Sequence, residues 1–161
     1  MRFEPAVLAL ADVLRARGWK IATAESCTGG LVAAACTAVA GSSDWFERGF
    51  VTYSNEAKAE LLGVPVALIA ACGAVSAEVA RAMAEGALAR SHAQVALAVT
   101  GIAGPGGGSP AKPVGTVWVA LAQAGGAARA ELLQLAGDRA AVREQTVHIA
   151  LARLLASARA T

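Results

Sequence analysis

Residues Val95 to Val99 read "VALAV", five consecutive apolar positions with no polar alternation. A strand with that pattern is covered on both faces, so helices must lie above and below the sheet that holds it. The flanking segments supply those helices. Phe3, Val7, Leu10 and Leu14 recur at helical spacing, and Gly18 closes that first helix. "WKIAT" reads as a strand, and Gly30 to Ala40 as a helix ending at Gly41. Trp45 to Ser54 is rich in aromatic and β-branched residues, as a strand is. Asn55 caps a short helix through Leu62 that Gly63 and Pro65 end, and Ser76 caps a longer one to Ser91. "TVWVALA" is another buried strand, with Ala127 to Leu135 its hairpin partner across Gly125-Gly126. Asp138 caps a last helix in which Val147, Leu151, Leu154 and Ala158 make one face. The order predicts α/β architecture: one three-layer α/β/α domain over residues 1–161, with a mixed, mostly parallel sheet.

Composition narrows the function classes. The 161 residues are 56% hydrophobic, enough to bury a core without metal or disulfide staples. The net charge is +2 and the basic residues are dispersed, which argues against a nucleic-acid partner. No apolar run approaches the roughly 18 residues that span a bilayer, so no membrane association is expected. Three cysteines (Cys27, Cys36, Cys72) and an early acid in "MRFEP" point to a reduced, cytoplasmic setting without a secretory leader.

Two loops follow strands, where open α/β sheets bind ligands. The first is "AESCTGG", Ala24 to Gly30; the second is "TGIAGPGGGSPAKPVG", with five glycines between 101 and 108. The second is no phosphate-binding Walker loop, because no Gly-Lys-Ser/Thr follows. It also fails the dinucleotide fingerprint, since position 109 is Ser109 rather than glycine. It is either a flexible crossover or a loop whose backbone N–H groups approach a ligand.

Ser26 in the first loop is a nucleophile only if a base activates it. His92 and His148 adjoin neither loop, and two isolated histidines do not make a catalytic zinc site. Lysine is the other serine activator when it is held neutral. Of Lys20, Lys58 and Lys112, Lys58 follows the strand carrying Tyr53, so both can lean toward one cleft. The alternative for Lys58 is a solvated helix residue. Cys27 is the rival nucleophile, and its alternative is a buried thiol. Arg139 and Arg143 stand where the last helix begins, an end that disfavours cations by about 0.3–1 kcal/mol. They either surround a bound anion or pair with Asp138 and Glu144.

The blocks "TAESCTGGLVAA", "GFVTYSNEAKAELLGV", "AVTGIAGPGGGSPAKPVGTVWVAL" and "GDRAAVREQTV" closely resemble the CinA C-terminal domain family. Among its members the chain is most similar to the stand-alone nicotinamide-nucleotide amidases, and its start at Met1 fits that form rather than the two-domain one. The resemblance implies hydrolysis of the carboxamide of nicotinamide mononucleotide to nicotinate mononucleotide and ammonia, with no metal or organic cofactor. It implies Ser26 as nucleophile, Tyr53 and Lys58 acting with it, and Thr100, Gly101 and Arg139 lining the site. On that mechanism the N–H groups of Thr28 and Gly29 hold the oxyanion. Arg139, Arg143 and glycine-loop amides such as that of Gly104 hold the phosphate. A homo-oligomer is a family-level expectation. The rival class is a non-catalytic nucleotide-sensing or interaction module of competence or DNA-damage responses, which has no need of an activated serine. A third reading keeps the residues and changes the substrate to another pyridine or pterin-like amide or ester.

Overall fold

The computed structural model describes residues 2–160; Met1 and Thr161, the ends of the expected domain span, lie outside the described residues. The elements in chain order are α1 (Glu4–Arg17), β1 (Ile21–Glu25), α2 (Leu31–Thr37), β2 (Phe46–Val51), α3 (Asn55–Leu62), α4 (Val66–Cys72), α5 (Ala77–Ala89), β3 (Val95–Gly101), β4 (Thr116–Gln123), β5 (Arg129–Gln134) and α6 (Arg139–Arg159). A single 3-10 turn, Ser42–Asp44, precedes β2.

The strands form one sheet in the order β2-β1-β3-β4-β5. β1 runs parallel to β2 and β3, whereas β3–β4 and β4–β5 are antiparallel, so β4 alone opposes the other four. Ile21 to Glu25 of β1 pair in order with Val95 to Val99 of β3, and all ten of these residues are buried. The unbroken apolar run of β3 is explained by its central place between two layers of helix.

The two layers have different chemistry. On one face α1, α2 and α6 pack on Ile21, Leu97, Val99, Val117 and Val119. The other face is carpeted with alanine: Ala22, Ala24, Ala96, Ala98, Ala120 and Ala122 lie beneath Val79, Ala80, Met83, Ala84 and Ala87 of α5. Such small side chains let α5 settle close to the strands. Gly86 continues this tight packing, because a Cβ there would sit 2.0 Å from the Leu62 carbonyl oxygen. Val147, Leu151, Leu154 and Ala158 are buried to 1% exposure or less, so α6 presents its expected face to the core. Among the described residues no helix is long and apolar enough to cross a membrane.

Local differences from the sequence reading have local causes. Helix α2 ends at Thr37 rather than Ala40, because the chain turns through Gly41 at φ 80° into the 3-10 turn. Ser54, not Asn55, caps α3, its hydroxyl accepting from the Ala57 N–H at 3.0 Å. Helix α4 was not expected at all. It follows Pro65, has no side-chain cap, and buries only Ile69 fully, so it carries little amphipathic signal.

Candidate active site

After β1 the chain crosses to β2 on one side, and after β2 it returns to β3 on the other. That reversal opens a crevice at the carboxyl ends of three parallel strands, where ligands bind in open α/β sheets. The resulting cleft is about 260 Å³. Ser26 and Cys27 enter it from the end of β1; Tyr53, Asn55 and Lys58 from the end of β2; Thr100 through Gly104 from the end of β3. Ala74 and Val75 form a further wall, and Arg139 reaches in from α6. A larger groove of about 370 Å³ lies between β5 and the end of α6. It holds the bidentate Glu131–Arg153 ion pair, whereas the smaller cleft brings Ser26 and Lys58 together.

The turn after β1 is shaped by glycine and by a buried acid. Gly29 and Gly30 adopt φ 57° and 107°, conformations that side-chain-bearing residues rarely take. The Ser26 N–H donates to the Val99 carbonyl at 3.0 Å, which ties the turn to β3. Glu25, 1% exposed, accepts from the Thr28 hydroxyl at 2.5 Å and from the Val32 and Ala33 N–H groups at 2.9 and 3.0 Å. It therefore supplies the acceptors that the first turn of α2 needs. The sequence reading gave Glu25 no role; the available signal was an acid just ahead of a helix N-terminus.

Lys58 is not a solvated helix residue. It is 1% exposed, and its Nζ lies 3.2 Å from Ser26 Oγ. The amine also donates toward the Thr52, Tyr53 and Ser54 carbonyls at 3.1, 3.3 and 3.5 Å. Carbonyl oxygens only accept, so the amine's N–H groups serve them, and Ser26 Oγ stands within hydrogen-bond distance of the same nitrogen. Burial holds the Lys58 amine below the ordinary lysine value, against a smaller opposing effect of Cys27. The contact places the Lys58 amine within proton-transfer distance of the Ser26 hydroxyl.

Tyr53 stands apart from that contact. It is 61% exposed, and its hydroxyl accepts from Arg139 at 3.1 Å rather than bridging Lys58 and Ser26. Cys27 is 6% exposed, and burial above all pushes its thiol up to about 11. Such a thiol is poorly suited to attack.

The other expected site residues divide into two groups. Thr100, Gly101, Gly104 and Arg139 line the cleft; Thr28, Gly29 and Arg143 do not. The Gly29 N–H donates to the Ser26 carbonyl at 2.9 Å, and Thr28, expected with it to hold an oxyanion, is fully buried outside the cleft lining. The turn residue that follows Ser26 into the cleft is Cys27. Arg143, expected at the phosphate, donates to the Cys27 and Thr28 carbonyls at 3.2 and 3.3 Å and so clamps the turn. Arg139 donates to the Gly104 carbonyl at 2.8 Å as well as to Tyr53. Asp138 caps α6 through the Ala141 N–H, and Glu144 pairs with Arg2. Among the described residues, neither carboxylate forms an ion pair with Arg139 or Arg143. His92 is exposed, and His148 packs on Phe3 with ring centroids 4.5 Å apart. Among the described residues no group of three or more His, Cys, Asp or Glu comes together.

The fold and cleft define a three-layer α/β domain with a buried serine–lysine pair at its switch point. The chain belongs to the CinA C-terminal domain family, whose model matches residues 4–158. It is 56% identical over 146 residues to the nicotinamide-nucleotide amidohydrolase PncC of Pseudomonas putida, covering 91% of each chain. With the protein of the same name from Escherichia coli it shares 54% identity over 143 residues, 89% of this chain and 87% of that one. Other curated relatives are longer: the chain spans about a third of a CinA-like protein of Akkermansia muciniphila, 57% identical over 136 residues, 84% of this chain and 33% of that protein. Among solved structures, the competence/damage-inducible protein of Agrobacterium tumefaciens superposes with a TM-score of 0.91 at 47% identity, covering 95% of this chain and 93% of that one.

Proposed function

We propose that this protein is a nicotinamide-nucleotide amidohydrolase that converts nicotinamide mononucleotide to nicotinate mononucleotide and ammonia through an acyl-serine intermediate. The observation that carries the reading is the desolvated Lys58 amine 3.2 Å from the Ser26 hydroxyl, in a cleft at the ends of three parallel strands. The Pseudomonas putida and Escherichia coli proteins, similar over nearly their full length, bear the name of that activity.

Lys58 accepts the Ser26 proton as Oγ adds to the carboxamide carbon. The Cys27 N–H, next after the nucleophile, is the turn amide best placed to receive the developing oxyanion. Such a donor contributes about 2.7–4 kcal/mol in a transition state. Collapse of the adduct breaks the C–N bond, and the Lys58 ammonium returns the proton to nitrogen as ammonia leaves. Water then attacks the nicotinoyl ester, giving its proton to Lys58, and the released Ser26 oxygen recovers a proton from the same amine. Arg139 and the amides of the glycine-rich loop supply the charge and donors that a phosphate requires. Lys58 is the base in contact with serine, and Tyr53 serves Arg139 and the outer rim.

The test is ammonia release by the purified protein with nicotinamide mononucleotide, with Ser26→Ala as control. Absence of turnover in the intact protein, with the nucleotide still bound, would favour a sensing module instead.

A further inference from the structure

The glycine-rich loop between β3 and β4 forms one wall of the cleft through Ile102, Ala103, Gly104, Gly106 and Gly107. Its neck is paired: the Ile102 N–H donates to the Thr116 carbonyl at 2.9 Å and the Gly115 N–H to the Ile102 carbonyl at 2.8 Å. Beyond the neck, residues 105–111 are exposed on their outer side, so packing does little to hold the wall in place. Arg139 fixes one limb through the Gly104 carbonyl. The other limb folds into a turn in which the Ser109 N–H donates to the Lys112 carbonyl at 2.9 Å and the Lys112 N–H to Ser109 Oγ at 3.1 Å.

From that turn the Lys112 side chain reaches the end of α4. Its ammonium donates to the Cys72 carbonyl at 3.1 Å, the last residue of α4, where the helix carries partial negative charge. Glu78, in the first turn of α5, adds a favourable charge nearby. Gly73 makes room for the contact: a Cβ there would sit 3.2 Å from Lys112 Nζ, and its φ of 79° already disfavours a side chain. Directly after Gly73 come Ala74 and Val75, which also line the cleft. Lys112 itself does not line the cleft.

We infer that Lys112 is a positioning residue that ties the glycine-rich loop to the α4–α5 wall and thereby sets how tightly the cleft holds its substrate. The inference rests on the amidohydrolase reading for its kinetic consequence. Lys112 moves no proton and touches no reacting atom. Its loss leaves the loop to be ordered by the substrate, which weakens binding and spares the chemical step.

Three variants test this: Lys112→Met, Lys112→Arg and Gly73→Ala. With nicotinamide mononucleotide, Lys112→Met raises KM about tenfold, the worth of one polar tie, and leaves kcat close to wild type. Lys112→Arg returns KM toward the wild-type value. Gly73→Ala raises KM with Lys112 still present, and adding it to Lys112→Met raises KM less than the product of the two single effects. Hydrogen exchange of residues 103–108 in the substrate-free protein gives a readout that does not depend on turnover. Exchange accelerates in Lys112→Met and not in Lys112→Arg. If wild type fails to hydrolyse the nucleotide while the exchange difference persists, the function is wrong and the tether stands. Unchanged loop exchange in Lys112→Met, or a fall in kcat at constant KM, overturns the tether.

Discussion

The amine of Lys58 and the hydroxyl of Ser26 lie 3.2 Å apart although 32 positions separate them in the chain. One comes from the turn after β1 and the other from the helix after β2, and the parallel pairing of those strands brings both to the same edge of the sheet. Ser26→Ala therefore abolishes turnover and leaves nucleotide binding nearly intact, measured by calorimetry beside an ammonia assay. Lys58→Met keeps most of the apolar stem and removes the base, so kcat falls by at least about 10²-fold. An active Met variant would break the pair.

Burial holds Lys58 below its ordinary value, which gives two pH dependences of known sign. kcat/KM rises with pH along a single ionisation below the ordinary lysine value near 10.5, as the neutral amine becomes populated. Between the folded and unfolded values the unfolded chain binds more protons at this site, so its contribution to stability rises with pH. Below that window the penalty of the buried ammonium is present in full. Lys58→Met lacks it, so the variant's gain in melting temperature over wild type is largest below the folded value and shrinks as pH climbs through the window. Cys27 and Cys36, raised to about 11 and 12 by burial, act with the opposite sign but are common to both proteins. A flat activity profile from about pH 6 to 9 would contradict the assignment of Lys58 as base.

Cys27 adjoins Ser26 and lines the cleft, but it is largely buried. With a value of about 11, only about one thiol in 10⁴ is ionised at neutral pH. Cys27→Ala keeps the N–H and most of the activity, with a packing loss of about 1 kcal/mol. Alkylating reagents label this position slowly in the native protein and rapidly after denaturation. Inactivity of Cys27→Ala beside an active Ser26→Ala would transfer the nucleophile to the thiol.

Arg139 and Arg143 are one helical turn apart on α6, yet the structure divides their work. Arg139 faces the cleft, so Arg139→Ala lowers kcat/KM for the mononucleotide roughly 10-fold or more, the worth of a charge-assisted hydrogen bond. The same change spares nicotinamide riboside, which has no phosphate, and added salt narrows the gap between the two substrates in wild type. Arg143 grips the Cys27 and Thr28 carbonyls, so Arg143→Ala lowers kcat for both substrates alike by loosening the nucleophile's turn. Equal losses on both substrates for Arg139→Ala would move the phosphate site to the glycine-rich loop.

Much of the architecture was legible because its signals are local. The "VALAV" run, the Ser76 and Asp138 caps and the glycine stop at Gly18 act within a few residues through backbone geometry and periodicity. Helix α4 escaped because a short apolar stretch buried mainly at Ile69 carries no period to read. The glycines of the first turn were legible for the same local reason, since positive φ at Gly29 and Gly30 is a property of the chain itself.

By itself, then, the sequence determined which segments become strands and helices, where they stop, and that a hydroxyl residue stands on a glycine turn beside a central strand. Tertiary structure alone decided which polar groups are available for chemistry. Lys58 meets Ser26 with a lowered amine pKa only because elements distant in the chain exclude water from it and fix its position through three carbonyls. Gly29 is withdrawn from the site by a bond to Ser26, and Arg143 is withdrawn by the two carbonyls it clamps. Lys112 gains a partner forty residues away only once the loop has folded against the end of α4. Spacing sets what a side chain can be near; desolvation and competing hydrogen bonds, which exist only in the packed molecule, set what it can do.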